Sequence, residues 1–495
     1  MILHFLSCLF FTLYYLSGSE CDSRGFMLYV IIYNLACLIP FYFSLCKHKS
    51  NSIWISGVTL FLLSYIIVFF QYDFHYAIGL DVIANRVWFL WGSEENIGKA
   101  LLLSSAGFHI FLGGYCVILR KKNKSVQLKN KLQQQLFMFG KNHFILPLYT
   151  VCIISYLVFL YFSGSYIHGG YDSQLSERGL RAYLYHFSSI CFNMLVIQRL
   201  FYIVNTAEPS KLSPLKYIKL MGLPITLLSV LMVIFPLLAG DRGPVITIFI
   251  MYSSLYLCRF SKLRAWQFIL IIFLVSSTLA FIGVFRATDY KLSYTERYKE
   301  YEDKKEGKSA GYFDTIDREN VYLKGTLELG SSVRVLHHML DNVPENYPHM
   351  YGWMQFQQFA GFIPLFLRSL NNSLGVNKYY YSSTIFASYL IQGDNIKYGD
   401  GTNMISDFYL DCNIWGVIIG MFLFGLFLAK IDKILESEAI SNLFVFSAAI
   451  IYYPLMIYIP RSTALVGLKS LLLVFICNVI YYKFMAFILN RKLTR

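Results

Sequence analysis

Charged residues are scarce in this sequence. Aspartate, glutamate, lysine and arginine make up only 15% of the 495 residues, whereas hydrophobic residues make up 56%. Soluble globular proteins carry about 25% charged residues, so the composition excludes an ordinary soluble domain. Apolar runs recur from one end of the chain to the other. The sequence therefore predicts an all-α protein that crosses a membrane many times.

Cysteine patterns that hold metals or form disulfide frameworks are also lacking. The ten cysteines are scattered, mostly inside apolar runs, and none forms a CxxC pair or a Cys/His cluster with metal spacing. The sequence contains no Walker loop, GxSxG elbow, HExxH motif or Rossmann fingerprint. We therefore expect no metal site and no cofactor.

The formal net charge of +14 raises the question of nucleic-acid binding. Most of the basic excess lies in short segments that follow every second apolar run, as at Lys47, Lys49, Arg259, Lys430 and Lys433. This alternation is the positive-inside signature of membrane topology and not of a DNA-binding face. It predicts cytoplasmic termini, a large loop on the outer side, and no nucleic-acid partner.

About twelve apolar segments are candidates for membrane helices. They lie at about residues 2–17, 26–46, 53–71, 100–119, 143–162, 182–204, 217–239, 244–258, 265–285, 413–429, 441–459 and 464–488. The first segment lacks a basic leader and an A-x-A-like cleavage site, so we interpret it as an uncleaved span. The predicted organisation is helices 1–9 at 1–285, a large loop at 286–412, and helices 10–12 at 413–495.

The large loop differs from the rest of the chain in charge. From Arg286 to Asp411 it holds sixteen of the 29 acidic residues but only thirteen of the 43 basic ones. The spacing from Val321 to Leu340 favours an amphipathic helix. The segment from Phe356 to Leu370 is apolar but too short to span, so it should lie at the interface or dip in under a cover of protein. Connecting segments often carry function, so we expect the site here.

Arginines collect at membrane boundaries on the predicted outer side, where positive-inside statistics disfavour them. They are Arg178, Arg181, Arg242, Arg286 and Arg461, joined by Arg334 and Arg368 from the loop. A guanidinium group can bind phosphate or pyrophosphate in a bidentate manner. For any one of them the alternative is an interfacial side chain that contacts lipid headgroups. For the whole set, an anion site is the better interpretation.

The segment Gly240–Pro244 is the sharpest local feature. Pro244 fits the first position of a helix over 244–258, which would be about 22 Å long at 1.5 Å per residue. Its N-terminus beside Arg242 would make a recessed anion site. The alternative is a tight turn in which Asp241 pairs with Arg242.

Candidates for proton transfer also lie in the predicted loop. They are His337, His338 and the carboxylates Asp289, Asp407 and Asp411. A histidine pair can bind zinc, but no third ligand stands at a recognisable spacing. The alternative for each histidine is an ordinary loop residue.

Several motifs resemble those of the Wzy-type O-antigen and oligosaccharide repeat-unit polymerases. They are GDRGP at 240–244, Phe285-Arg286, Tyr351-Gly352 followed by Ile363-Pro364, and GTNMISDFYLDCNIWGVIIG at 401–420. Their order and the late outer loop match from about residue 170 to 430. Two features depart from the family: Pro364 is followed by Leu365, with the basic Arg368 further on, and the RX10G pattern is absent.

The resemblance implies a GT-C-like membrane glycosyltransferase at the periplasmic face of the bacterial inner membrane. Such an enzyme transfers a growing glycan from undecaprenyl pyrophosphate onto a lipid-linked repeat unit, and a chain-length regulator is a candidate partner. A lipid-linked oligosaccharide flippase and an O-antigen ligase remain open alternatives. The predicted catalytic residues are Arg242, Arg286, Asp241 and His338. The predicted substrate-binding residues are Arg178, Arg181, Arg334, His337, Arg368, Asp407, Tyr409 and Arg461.

Overall fold

In the computed structural model, helices are the only regular secondary structure among the described residues. It describes residues 1–18, 21, 23–48, 53–80, 93, 95–119, 142–163, 180–207, 212–238, 241–261, 264, 266–268, 270–271, 292, 295–296, 299, 326–363, 366–396, 399–436, 440 and 442–493. Within these residues there is no β-strand, which confirms the all-α prediction.

Most of the helices are apolar and long. In chain order they are α1 (Ile2–Leu16), α2 (Arg24–His48), α3 (Gly57–Ala77), α4 (Glu95–Leu119), α5 (Asn142–Phe162), α6 (Leu180–Thr206), α7 (Pro214–Met221), α8 (Leu223–Leu238), α9 (Arg242–Arg259), α10 (Leu327–Gly330), α11 (Arg334–Asn342), α12 (Trp353–Ala360), α13 (Phe366–Ser373), α14 (Ser383–Gln392), α15 (Met404–Glu436), α16 (Leu443–Leu455) and α17 (Leu468–Leu493). Each predicted apolar segment coincides with one of these helices or with the pair α7–α8. The exception is 265–285, most of which lies outside the described residues.

Length and composition identify the helices that could cross a membrane. Among the described residues, 7 helices qualify, or up to 8 if the bent pair α7–α8, with 96° between its members, counts as one span. Helices α1, α9 and α16 are apolar but shorter. The chain is thus a multi-pass membrane protein, and the figure of twelve spans stays a prediction.

Contacts divide the chain into two compact units. The first consists of Met1–Lys122, Gly311–Lys433 and Leu455–Lys469. The second consists of Asn123–Ala310, Ile434–Pro454 and Ser470–Arg495.

The first unit has an aromatic interior. The rings of Phe61 and Phe111 lie with their centroids 4.5 Å apart, which joins α3 to α4. The hydroxyl of Tyr65 donates a hydrogen bond of 2.7 Å to the carbonyl oxygen of Ser104. A hydroxyl deep between two helices needs such a partner, and this one fixes the level of α3 against α4.

The second unit is held together by a few buried polar contacts among apolar helices. Gln198 of α6 donates to Asn478 of α17 at 2.7 Å, and the hydroxyl of Tyr481 donates to the carbonyl oxygen of Phe144. Arg259 at the end of α9 donates to the carbonyl oxygen of Val204 at 2.9 Å. Interhelical hydrogen bonds of this kind are the usual polar contacts between membrane helices.

Asp432 caps α3 from another part of the first unit. Its carboxylate accepts hydrogen bonds from the backbone N–H of Gly57 at 2.9 Å, from the N–H of Val58 at 3.3 Å and from the hydroxyl of Tyr115 at 2.7 Å. The first N–H groups of a helix have no partner within the helix, so a buried acceptor there is strongly stabilising. Asp432 therefore ties α15 to the first turn of α3 and to α4.

Helix α15 is interrupted at Cys412 and Asn413, where the backbone is not helical and Asn413 has φ 56°. A β-carbon on Gly416 would overlap the carbonyl oxygen of Phe408, and one on Gly420 would lie 2.6 Å from the ring of Phe408. Both positions therefore require glycine. The contacts show that the residues on the two sides of the interruption pack against each other.

The interruption is a reversal of the chain. A β-carbon on Gly107 of α4 would lie 2.8 Å from Ile405 Cδ1 and 3.2 Å from Val417 Cγ1. In an unbroken helix those two residues would be about 18 Å apart. The first arm, residues 404–411, thus folds back on the second arm, residues 414–436, and the reversal coincides with the predicted start of the tenth span.

The segment of the predicted large loop that begins at Thr326 packs within the first unit. Thr326 Oγ1 donates to Gln71 Oε1 at 2.9 Å, and a β-carbon on Gly330 would lie 3.2 Å from the carbonyl oxygen of Ile67. Ile67 lies about 15 Å along α3 from the last residue of that helix. The loop therefore does more than cover the ends of the helices. The segment around Gly330 packs beside the middle of α3.

The structure describes residues 326–340 of the segment in which an amphipathic helix was predicted, and residues 321–325 lie outside the described residues. Of its described part, every residue from 331 to 339 is buried. The segment is a short helix, a 3₁₀ turn and α11 in succession. Its polar side chains are not on a solvent face, because the protein encloses them and supplies partners for them.

Candidate functional site

Helix α11 and the first arm of α15 form a buried polar centre in the first unit. Asn403 donates to the carbonyl oxygen of Ser332 at 3.0 Å, which joins the start of the first arm to the turn before α11. At the other end of α11, the carboxylate of Asp341 accepts from Ser93 N at 2.9 Å and from Asn96 Nδ2 at 2.6 Å, so it binds the start of α4. The two loop segments are therefore anchored to each other and to α4.

Arg334 at the start of α11 forms an ion pair with Asp400. The side chain of Asp400 is fully buried, and it also accepts from Gln392 Nε2 at 2.5 Å. The backbone N–H of Asp400 donates to Ser388 Oγ at 2.9 Å. A buried charge requires such a partner. The positive charge of Arg334 is thus already balanced within the protein.

His337 and His338 are both buried, at 1% and 7% exposure. The His337 ring lies against Tyr72 of α3, with 5.9 Å between ring centroids. Among the described residues, no group of three or more His, Cys, Asp or Glu side chains is placed to hold a metal ion. The histidine pair belongs to the interior between α11 and α3, and its role in catalysis stays a prediction.

Asp407 and Asp411 organise helix α12. The carboxylate of Asp407 is fully buried and accepts from the side-chain amides of Gln355, at 2.5 Å, and Gln358, at 3.0 Å. The carboxylate of Asp411 accepts from the backbone N–H groups of Met354 and Gln355, each at 3.0 Å. Asp411 therefore caps α12, and Asp407 binds the side chains of the next turn.

Tyr409 lies on the first arm and is 3% exposed. Its hydroxyl donates to the carbonyl oxygen of Val343 at 3.1 Å, and its ring contacts His349 edge-on at 5.5 Å. The described structure gives Tyr409 a packing role, and substrate binding by this residue stays a prediction.

The predicted arginines are distributed over both units. In the first unit, Arg368 on α13 and Arg461 in a 3₁₀ turn are exposed, whereas Arg334 is buried. In the second unit, Arg181 is exposed near the start of α6. Arg178, Arg286 and the side chain of Arg242 lie outside the described residues. The structure thus brings Arg334, His337, His338, Asp407 and Tyr409 into one unit, and it does not bring the exposed arginines of that unit into the buried centre.

The start of α9 differs from the prediction. The helix begins at Arg242 and not at Pro244, because Asp241 is its N-cap residue and accepts from the N–H of Gly243 at 3.1 Å. The helix has 18 residues, about 27 Å, and is therefore longer than expected. A carboxylate already lies at this N-terminus, so a bound anion would have to approach beside Asp241.

Two carboxylates that are buried in the structure were not predicted from the sequence as site residues. Asp400, the partner of Arg334, lies inside the motif at 399–403 but was not selected. Asp73 was assigned to an outer connection, yet α3 continues to Ala77 and encloses it completely. Within the part of the chain that the structure describes, neither carboxylate oxygen of Asp73 has a hydrogen-bond partner. The available signal was an acidic residue at the end of an apolar run, since ionisable residues at membrane depth are often functional.

Comparison with known proteins gives one match. The family model described as O-antigen polysaccharide polymerase Wzy matches residues 1–492. No curated protein and no solved structure matches the chain.

Proposed function

Because the chain belongs to the O-antigen polysaccharide polymerase Wzy family, we propose that it polymerises undecaprenyl-pyrophosphate-linked repeat units at the periplasmic face of the bacterial inner membrane. The family identifies it as an O-antigen repeat-unit polymerase, a glycosyltransferase-like enzyme of polysaccharide biosynthesis that acts on lipid-linked oligosaccharides. The match over nearly the entire chain is the observation that carries the proposal. A GT-C-like architecture belongs to the same proposal.

The proposed reaction forms one glycosidic bond and breaks one bond to phosphate. A hydroxyl oxygen of the acceptor's terminal sugar attacks the anomeric carbon of the donor glycan. The bond from that carbon to the pyrophosphate oxygen breaks, and undecaprenyl pyrophosphate leaves. Arg242 and Arg286 stabilise the charge that develops on the leaving group, with no metal required. Arg178, Arg181, Arg368 and Arg461 would bind the charged parts of the two substrates.

His338 is the proposed acceptor of the hydroxyl proton, assisted by His337. Asp73 is a second candidate, because its carboxylate has no hydrogen-bond partner among the described residues and could accept a hydrogen bond from a sugar hydroxyl. Arg334 is paired with Asp400, which supports a role in positioning the buried centre more than direct contact with pyrophosphate.

Radiolabelled lipid-linked repeat units incubated with the purified protein test this function. We expect polymer ladders in the absence of any lipid A-core acceptor. Transfer of the label to added lipid A-core alone would identify a ligase, and movement of the substrate without a new bond would identify a flippase. We also expect the ladders to persist in EDTA, since arginines supply the positive charge. Loss of activity that one divalent ion restores would contradict the arginine mechanism.

The proposed topology places both termini in the cytoplasm and the large loop in the periplasm. The basis is the alternation of basic and acidic segments along the chain. We expect reporter fusions after Lys131 and after Lys262 to give cytoplasmic signals, and a fusion after Lys305 to give a periplasmic signal. A periplasmic signal at Lys131 would reverse the orientation and remove the proposed site from the outer face.

A further inference from the structure

Helix α12 carries apolar side chains on its exposed face. Phe356 and Phe359 are 41% and 52% exposed. Met354, Gln357 and Ala360 on the other face are buried. A helix on a protein surface in water carries polar side chains on its outer face. The exposed face of α12 is therefore unsuited to water.

Three glutamines of α12 form hydrogen bonds with the rest of the protein. Gln357 Nε2 donates to the carbonyl oxygen of Tyr380 at 2.9 Å, and Gln357 Oε1 accepts from Asn371 Nδ2 at 3.2 Å. Gln355 and Gln358 donate to Asp407. These bonds fix the rotation of the helix, so the phenyl groups are held outward and are not free to turn in.

The exposed apolar surface continues beyond α12. Ile363 is 43% exposed and Phe366, the first residue of α13, is 41% exposed. We call Phe356, Phe359, Ile363 and Phe366 the aromatic ridge. Soluble proteins rarely expose several large apolar side chains in one place unless another surface covers them.

The aromatic ridge starts beside a lipid-facing stripe. On the second arm of α15, Trp415, Ile419 and Leu423 recur at every fourth position and are 59%, 58% and 57% exposed. These exposed apolar side chains lie on the membrane-spanning part of α15, so we infer that they face lipid. Asp411, which caps α12, precedes Trp415 by four residues, across the reversal of the chain. The ridge thus extends the lipid-facing surface at the end of this span.

Charge on α13 fits the same surface. Arg368 is exposed one residue beyond Leu367, close in sequence to the ridge residue Phe366. Amphipathic helices at a membrane interface combine buried aromatic and aliphatic groups with basic residues that contact lipid phosphates. Exposed phenyl groups with an adjacent guanidinium match that pattern.

We propose that the aromatic ridge is a membrane anchor, which inserts between the headgroups and the acyl chains of the bilayer leaflet next to the large loop. The ridge residues bind phospholipid, and the bonds from the glutamines to Asp407 and from the first turn of α12 to Asp411 transmit that position to the first arm. The sequence left two possibilities for this segment, interface or burial under protein; the exposure of the ridge supports the first. The proposal does not depend on the reaction that the protein catalyses.

Site-specific photocrosslinking in lipid nanodiscs tests the anchor. A benzophenone amino acid replaces Phe359 in the full-length protein, which keeps an aromatic group at that position. The same substitution at Ile419 marks the lipid-facing stripe, and at Asn395 it marks an exposed polar position of the predicted loop. After illumination, mass spectrometry detects phospholipid adducts and gel electrophoresis detects crosslinked dimers.

We expect phospholipid adducts at position 359 in a yield similar to position 419 and about tenfold above position 395, because an interfacial apolar face is buried about 5–10 Å into the bilayer. Dimers at position 359 in place of lipid adducts would overturn the proposal and assign the ridge to a contact between two copies. A yield at 359 as low as at 395, with normal labelling at 419, would overturn it and place the ridge in water.

Discussion

Replacing Arg242 or Arg286 by alanine is expected to shorten the O-polysaccharide to a single repeat unit on lipid A-core. If both guanidinium groups bind the leaving pyrophosphate, each variant loses charge stabilisation that exists mainly in the transition state. Removing one such group typically lowers the rate about 10²–10³-fold. The measurement is the ladder length on gels, together with the abundance of each variant in the membrane.

Lysine at either position should restore activity only in part, because an ammonium group is a point charge and lacks the planar fork of guanidinium. Arg264→Ala is the matched control, since Arg264 is exposed and lies in a segment that the charge pattern places in the cytoplasm. It should leave the ladder unchanged. Full ladders from both Arg242→Ala and Arg286→Ala would show that these arginines are interfacial residues and that pyrophosphate binds elsewhere.

Asp432→Ala is expected to destabilise the first unit without changing the catalytic activity of the folded protein. The side chain is 2% exposed and is the common acceptor for Gly57, Val58 and Tyr115. Each buried donor left without an acceptor costs about 1–3 kcal/mol. We expect a lower unfolding temperature in detergent and less protein in the membrane, with normal polymerisation per folded molecule.

Tyr115→Phe is the control for the Asp432 prediction, because it removes one donor and leaves the carboxylate with both N–H groups of α3. Its effect on the unfolding temperature should be clearly smaller. If Asp432→Ala unfolds at the wild-type temperature, the cap on α3 is not a stabilising contact.

The helices could be predicted from the sequence because a bilayer imposes long apolar segments whose backbone groups are satisfied internally. The start of the tenth apolar segment at residue 413 could be predicted for the same reason, but the reversal of the chain at that position was not predicted. The start of α9 was placed two residues late, although aspartate is a common N-cap residue and Asp241 stood at the right place.

The buried centre could not be predicted from patterns along the chain. A hydropathy profile scores Arg334 and Asp400 as polar loop residues, because it contains no information on contacts between residues far apart in the sequence. In the structure, the two side chains neutralise each other in an ion pair. The same holds for Asn403 and Ser332, whose hydrogen bond brings two distant loop segments together. The function came from short motifs, and the assignment of its residues stays a prediction for Arg242, Arg286, Asp241 and His338.

The reversal in α15 has a consequence for biogenesis. The first arm carries Ser406, Asp407 and Asp411, which the insertion machinery would not release into lipid. We therefore expect the first arm to be translocated together with the polar loop, while the second arm inserts into the bilayer. It can reach its place beside Gly107 only after α4 is in position, because Ile405 of the first arm packs against that helix. The membrane-spanning helices would thus assemble before the buried polar centre forms. A newly made chain would be inserted first and would become active only later.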